Sequence, residues 1–218
     1  MKKFIQLIVF YIFFSASAAA DDGVQWFRAL LNDDGAGVQR LLQQGANPNR
    51  VNTRGDPALV EALRDGKWDA AEALMAHSEL KVDLANGAGE TPLMMAALRG
   101  RADWVDRLAA RGASVNRPGW SPLHYAATGS DVATVDRLVA HGATVDARNH
   151  AGSTPLIVAA RFGSEDVVRA LLRAGADDTV RNAAGQDAAA AAAQVGRDAL
   201  ARGFEERQRR RQRPAAGS

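Results

Sequence analysis

Four histidines are the residues whose chemistry would most readily serve catalysis or metal binding: His77, His124, His141 and His150. No two of them are four residues apart, and the chain contains no cysteine, so the ligand spacing typical of zinc sites is missing. The Gly-x-Ser-x-Gly motif of hydrolase nucleophiles is also missing, and the acidic residues are scattered. We therefore predict that the chain is not an enzyme and holds no metal or cofactor.

An internal repeat of about 33 residues supplies the elements that would position any functional residue. Its first motif reads Thr-Pro-Leu-Met-Met-Ala-Ala at 91–97, Ser-Pro-Leu-His-Tyr-Ala-Ala at 121–127 and Thr-Pro-Leu-Ile-Val-Ala-Ala at 154–160. Its second motif ends in Gly-Ala at 112–113, 142–143 and 175–176. Thr or Ser before Pro caps a helix, and glycine favours the left-handed conformation that ends one. A unit this short cannot bury its apolar face alone, so the copies must stack.

These motifs resemble the ankyrin repeat family, whose pattern is Thr-Pro-Leu-His-x-Ala-Ala, then Val-x-x-Leu-Leu, then Gly-Ala. The resemblance implies an all-α repeat solenoid, each unit being a helix-turn-helix plus a β-hairpin or loop. We place the ankyrin-repeat domain at 21–206, with units at about 24–52, 53–86, 87–119, 120–149 and 150–182 and a cap at 183–206. Because both ends depart from the pattern, we predict about four central-type units with degenerate N- and C-terminal caps.

Residues 1–20 have the layout of a secretory signal peptide. Lys2 and Lys3 precede an apolar run at 4–14 and a stretch of small residues at 15–20, which predicts cleavage after Ala20. The alternative is an uncleaved membrane anchor, although the run is shorter than the roughly 20 residues that a spanning helix needs. A cysteine-free, exported chain without twin arginines suggests a soluble protein of the bacterial periplasm.

Charge is distributed unevenly along the chain. Residues 21–196 hold 18 basic and 22 acidic side chains, whereas residues 197–218 hold seven arginines and three acids. We predict a disordered, arginine-rich tail at 207–218, which is either simply solvated or in weak contact with an anionic surface. That contact would use the following arginines: Arg207, Arg209, Arg210, Arg211 and Arg213. Nucleic acid is not an expected partner, because the chain is predicted to be exported. Its sequence also has no basic patch rich in aromatic residues.

One hairpin of the repeat is three residues shorter than its neighbours. We call residues 116–120 the short hairpin and residues 146–153 the full-length hairpin. The shortening leaves a gap in the row of hairpin tips, and Trp120 lies at this gap. Large aromatic residues dominate binding energy at interfaces, so Trp120 either contacts a partner or packs across the gap.

The resemblance implies that a partner protein contacts the hairpin tips and the concave face of the inner helices. Transferred residue by residue, it selects as partner-binding Met95, Arg99, Tyr125, Thr128, Arg148, His150, Val158, Arg161 and Phe162, to which the gap at the short hairpin adds Trp120. It also selects Arg28, Arg54, Glu61, Asn86 and Arg117. Within the first set, Met95, Tyr125, Val158 and Phe162 are expected to form an exposed apolar stripe. His124 occupies the histidine position of the family motif, where its ring is expected to bond neighbouring backbone.

We therefore expect a monomeric, non-enzymatic protein-binding module. Exported bacterial ankyrin proteins of this size resemble accessory factors of periplasmic catalases, which implies a role in oxidative-stress defence. Two alternatives stay open: an immunity protein that neutralises a toxin delivered to the periplasm, and an envelope or membrane-surface tether acting through the arginine-rich tail. Nothing in the residues separates the catalase-associated role from the immunity role.

Overall fold

The computed structural model describes residues 23–212, and the expected signal peptide lies outside the described residues. Over that range the chain forms twelve helices and no extended strand. A single antiparallel bridge joins Val51 to Pro57. The predicted all-helical architecture is therefore confirmed for the part of the chain that is described. Two compact units are present, and they divide between Ala88 and Gly89.

The described part of the first unit, residues 23–88, contains four helices. They are α1 (23–31), α2 (Gly35–Gln43), α3 (Ala58–Asp65) and α4 (Trp68–Met75). Helix α2 packs on α4, and α3 packs on α4. Trp26 of α1 is buried, as expected of an apolar residue in a leading cap helix.

As far as Gln212, where the described residues end, the second unit contains eight helices in four consecutive pairs. They are α5 (Pro92–Leu98), α6 (Ala102–Ala110), α7 (Pro122–Ala126), α8 (Val132–Ala140), α9 (Pro155–Phe162), α10 (Glu165–Arg173), α11 (Ala188–Gln194) and α12 (Asp198–Gln212). The first helices of successive pairs pack in a row, α5 on α7, α7 on α9 and α9 on α11. The second helices do the same, α6 on α8 and α8 on α10. This arrangement is that of stacked repeats.

The core of the second unit is built from one leucine in each helix of its first three pairs. These leucines have no solvent exposure: Leu93, Leu108, Leu123, Leu138, Leu156 and Leu171. Small residues on the first helices, such as Ala96 and Ala159, are equally buried and let neighbouring helices approach closely. The repeat motif therefore encodes the stacking directly, because its invariant apolar positions face the next pair.

The C-terminal helix corrects one prediction. We expected disorder from residue 207, but α12 continues to Gln212, and residues 213–218 lie outside the described range. The helix is stabilised by Phe204, which is 2% exposed, and by ion pairs from Arg207 and Arg211 to the fully buried Asp178. The prediction was wrong for 207–212 because it treated the arginines as solvated and did not consider a buried carboxylate as their partner.

Candidate partner-binding surface

The first helices of the second unit are positioned by capping residues. Thr91 Oγ1 accepts a hydrogen bond from the Met94 amide at 3.3 Å, and Thr154 Oγ1 accepts one from the Ile157 amide at 3.3 Å. Proline follows each threonine, where the helix has no amide hydrogen bond to lose. The caps fix where α5 and α9 begin, and thereby fix the hairpins that precede them.

His124 caps α7 and links it to the next hairpin. Its Nδ1 lies 3.2 Å from the Ser121 amide nitrogen and 2.8 Å from Ser121 Oγ, and its Nε2 lies 3.0 Å from the Ser153 carbonyl oxygen. A carbonyl only accepts, so Nε2 carries the proton and Nδ1 accepts from Ser121. Burial lowers the pKa of the His124 imidazole below its ordinary value, which keeps the ring neutral. The ring therefore bonds its structural neighbours, as the resemblance implied.

Trp120 lies at the base of the short hairpin and both packs and faces solvent. Its ring centroid is 5.5 Å from that of His124 and 5.6 Å from that of Tyr125, the latter at an interplanar angle of 68°. Trp120 as a whole residue is nevertheless 38% exposed. One part of this residue thus packs against neighbouring rings while another part stays exposed, and its contact with a partner remains a prediction.

The gap above the short hairpin is filled by the next hairpin. A Cβ atom on Gly119, where φ is +75°, would lie 2.4 Å from Nε2 of His150. The imidazole of His150 therefore rests directly on the backbone of the short hairpin, while the residue as a whole is exposed. Its left-handed conformation favours glycine at position 119, and a larger residue there would displace the His150 side chain.

Tyr125 connects the short hairpin to the preceding pair of helices. Its hydroxyl donates a hydrogen bond to Glu90 Oε1 at 3.0 Å. Burial, and next the negative charge of Glu90, raise the pKa of Tyr125 well above its ordinary value, so the phenol remains a hydrogen-bond donor. Trp120, Tyr125 and Glu90 consequently form one connected group, which we call the aromatic corner.

The structure does not form the expected apolar stripe. Met95 has no exposure and Val158 only 5%, so both belong to the core between stacked helices. Tyr125 is half-buried, whereas Phe162 at the end of α9 is 62% exposed. The selection of Met95 and Val158 as contact residues was wrong, because their positions on α5 and α9 face the neighbouring pair.

The selected polar residues mostly stabilise the stack. Arg148 donates to the Arg181 carbonyl at 2.9 Å, and Arg161 donates to Gln186 Oε1 at 3.0 Å and to Gln194. Thr128 Oγ1 donates to the Tyr125 carbonyl at 2.7 Å. Arg99 is exposed beside a shallow groove that Asp131 also lines.

The residues selected in the first unit include an ion-pair network. Arg54 lies 3.6 Å from Glu61 and 3.2 Å from the buried Asp56, and Asn86 donates to Asp56 at 3.1 Å. The hydrogen bond from Arg64 is the largest cause that holds the pKa of Asp56 below its ordinary value. Glu61 is itself buried. The two others are the exposed Arg28 on α1 and, in the second unit, the half-buried Arg117.

Glu90 and Asp178 are two interacting residues that the sequence analysis did not select. Both are carboxylates that had been counted as scattered. The repeat period contained the signal for each, since Glu90 lies 35 residues before Tyr125 and Asp178 lies 33 residues before Arg211. Residues separated by about one repeat are neighbours in a stack.

Two further observations concern the described part of the chain. Among residues 23–212, no group of three or more His, Asp or Glu side chains is close enough to hold a metal ion. None of the helices in this range has the length and apolar character that crossing a bilayer requires.

Comparison with known proteins identifies the repeat. The family described as ankyrin repeats (three copies) matches residues 26–118 and 115–182. The chain is similar to alpha-latrocrustotoxin-Lt1a of Latrodectus tredecimguttatus, with 37% identity over 36% of this chain and 6% of that protein. It is also similar to neurogenic locus notch homolog protein 4 of Homo sapiens, with 35% identity over 35% of this chain and 4% of that protein. The matches thus span only a small fraction of these relatives. With a family match over most of its length, the chain belongs to the ankyrin repeat family.

Proposed function

We propose that this protein is a non-enzymatic protein-binding module whose partner contacts the second unit at the aromatic corner and at Phe162. Ankyrin repeats are typically protein-interaction modules, which supports the general role. The observation that carries the specific surface is the exposure of two large aromatic side chains, 38% for Trp120 and 62% for Phe162. Exposed aromatic side chains on a rigid scaffold lose little entropy when a partner covers them.

Affinity capture with matched variants tests the proposed surface. The tagged mature chain, Trp120→Ala and Phe162→Ala are compared with Leu31→Ala, since Leu31 is also 62% exposed but lies in the first unit. We expect one stoichiometric partner that is recovered with the wild-type chain and the Leu31 variant and is lost with the other two. Recovery that is equal for all four proteins would contradict the proposed surface.

We further propose that the protein works in the bacterial periplasm. The support is the signal-peptide layout of residues 1–20, together with the absence of cysteine. Mass spectrometry of the protein isolated from its source cells tests this. A mature chain beginning at Asp21 in the periplasmic fraction is the expected result, and a full-length cytoplasmic chain would contradict it.

Within the periplasm we propose an accessory role in oxidative-stress defence, associated with a catalase. The support is the resemblance to exported ankyrin proteins of similar size. The expected result is that a deletion strain is more sensitive to hydrogen peroxide and is complemented by the wild-type gene but not by Trp120→Ala. If peroxide sensitivity is unchanged while the deletion strain becomes sensitive to a delivered toxin, the immunity alternative replaces this role. Of the five arginines that the tether would use, Arg207 and Arg211 pair with Asp178, which leaves fewer charges for an anionic surface.

A further inference from the structure

We infer that the aromatic corner binds a cationic side chain, an arginine or a lysine, that the partner protein presents. The inference rests on the proposed function and specifies the chemistry of the partner. Three contacts define the site: the exposed indole of Trp120, the Tyr125 ring beside it, and the Glu90 carboxylate hydrogen-bonded to the Tyr125 hydroxyl.

The two rings present a geometry that suits a cation. Their centroids are 5.6 Å apart and their planes meet at 68°, so they form a corner and not a flat stack. The face of an aromatic ring carries negative potential, and tryptophan attracts cations most strongly. Elsewhere in the molecule Arg107 lies 4.4 Å above the Trp104 ring, and Arg50 lies 5.6 Å above the Trp26 ring. Those two indoles are buried, whereas that of Trp120 is open to an external ligand.

Glu90 supplies the negative charge of the site. Its carboxylate accepts a hydrogen bond from the Tyr125 hydroxyl at 3.0 Å. The Tyr125 ring in turn contacts the indole of Trp120. A positively charged side chain over Trp120 therefore gains attraction from both the ring and the carboxylate. The Tyr125 phenol, whose pKa is raised, keeps this hydrogen bond at any physiological pH.

Two arginines of the following repeat bond groups outside the corner. The guanidinium of Arg148 donates to the carbonyls of Gly152 and Arg181, and that of Arg161 donates to Gln186. Both are thus directed toward the following helix pair. Charge complementarity at the corner favours a basic residue of the partner over an acidic one.

A titration with defined peptides tests the inference on the full mature chain. The probe is the blocked tripeptide Gly-Arg-Gly, and its neutral control replaces arginine with citrulline, which has the same shape without the charge. The readout is the indole N–H resonance of Trp120, identified by its loss in Trp120→Leu. We expect a saturable shift at millimolar peptide and at least about fivefold weaker binding of the citrulline peptide.

Variants of the carboxylate complete the test. Glu90→Gln keeps an acceptor for Tyr125 but removes the charge, so binding of the arginine peptide should weaken about fivefold. Glu165→Gln serves as the matched control, because Glu165 is an exposed carboxylate on α10 and should leave binding unchanged. Equal binding of the two peptides, or unchanged binding by Glu90→Gln, would overturn the inference. If partner capture still depends on Trp120 in that case, the proposed function stands and only the cationic ligand is rejected.

Discussion

The full-length hairpin and the short hairpin both join one helix pair to the next, but they are closed in different ways. In the full-length hairpin Asn149 Oδ1 accepts from the amides of Ala151 and Ser153, each at 3.0 Å. In the short hairpin Asn116 accepts from the Thr144 amide and donates to the Gly142 carbonyl of the next repeat, both at 2.8 Å, much as Asp146 of the full-length hairpin accepts from the Asp177 amide.

The comparison shows how a deletion creates a surface. The full-length hairpin bonds its own backbone through Asn149, and its His150 covers Gly119 of the short hairpin. Without those three residues, the short hairpin depends on His150 above Gly119, and its indole remains partly uncovered. The exposure of Trp120, a candidate binding feature, therefore accompanies a shorter hairpin and not an added motif.

The largest expected loss of stability comes from removing the side chain that closes the full-length hairpin. Asn149→Ala removes the acceptor of two backbone amides, and Ser153 is buried. We expect the free energy of unfolding to fall by about 2 to 3 kcal/mol, measured by urea denaturation. Asn116→Ala, in the exposed counterpart, should cost only about 1 kcal/mol. Equal losses would show that the two hairpins are closed with similar strength.

A smaller effect is expected from filling the space above the short hairpin. Gly119→Ala introduces both left-handed strain and a clash with His150, so we expect a loss of about 2 kcal/mol in unfolding free energy. Gly142→Ala has a similar φ of +85° and nothing within 4 Å of the added Cβ, so it should cost about 1 kcal/mol. The excess at Gly119 should disappear in the double variant with His150→Gly.

The pH dependence of stability tests the link between α7 and the full-length hairpin. Because burial lowers the pKa of His124 in the folded state, the unfolded chain binds more protons as the pH falls through the ordinary value of 6.5. Stability is therefore fully present above that value and declines below it. His124→Gln should show a smaller decline between about pH 7.5 and about pH 5.5 in urea denaturation. An unchanged decline would mean that the titrating group is another one.

The smallest stability effect is expected at Trp120 itself. Trp120 is 38% exposed, so only part of its side chain packs against other residues. We therefore expect Trp120→Ala to lower the free energy of unfolding by no more than about 1 kcal/mol. Calorimetry checks this value. A larger loss would assign the residue to the core, and any loss of partner binding in the variant would then reflect unfolding.

The repeat motifs predicted the fold well because they state which residues face the stack. The leucine position and the Thr-Pro helix start recur in register, and both appear in the structure as expected. The surface was harder to predict, since a motif gives the position of a residue but not the direction of its side chain. Met95 and Tyr125 occupy the same position of the motif in successive repeats, yet only Tyr125 reaches solvent.

Long-range charge pairing was the other feature that sequence reasoning could not settle. Glu90 and Asp178 are chemically ordinary carboxylates, and only the stacking of one repeat on the next brings them to Tyr125 and to the arginines of α12. The length of the repeat predicts which segments lie side by side. It does not predict which acidic residue of a segment forms the pair, because that depends on the conformation of each hairpin.

The buried carboxylate of Asp178 makes the integrity of the chain depend on its last helix. A trypsin-like protease that cut after the exposed Arg209 would remove Arg211, whose ion pair with Asp178 measures 2.9 Å. The remaining chain would hold a buried negative charge with one counter-ion in place of two. Limited digestion of the carboxyl end would thus be transmitted to the repeats themselves, so that a clipped molecule becomes a better substrate for complete degradation than an intact one.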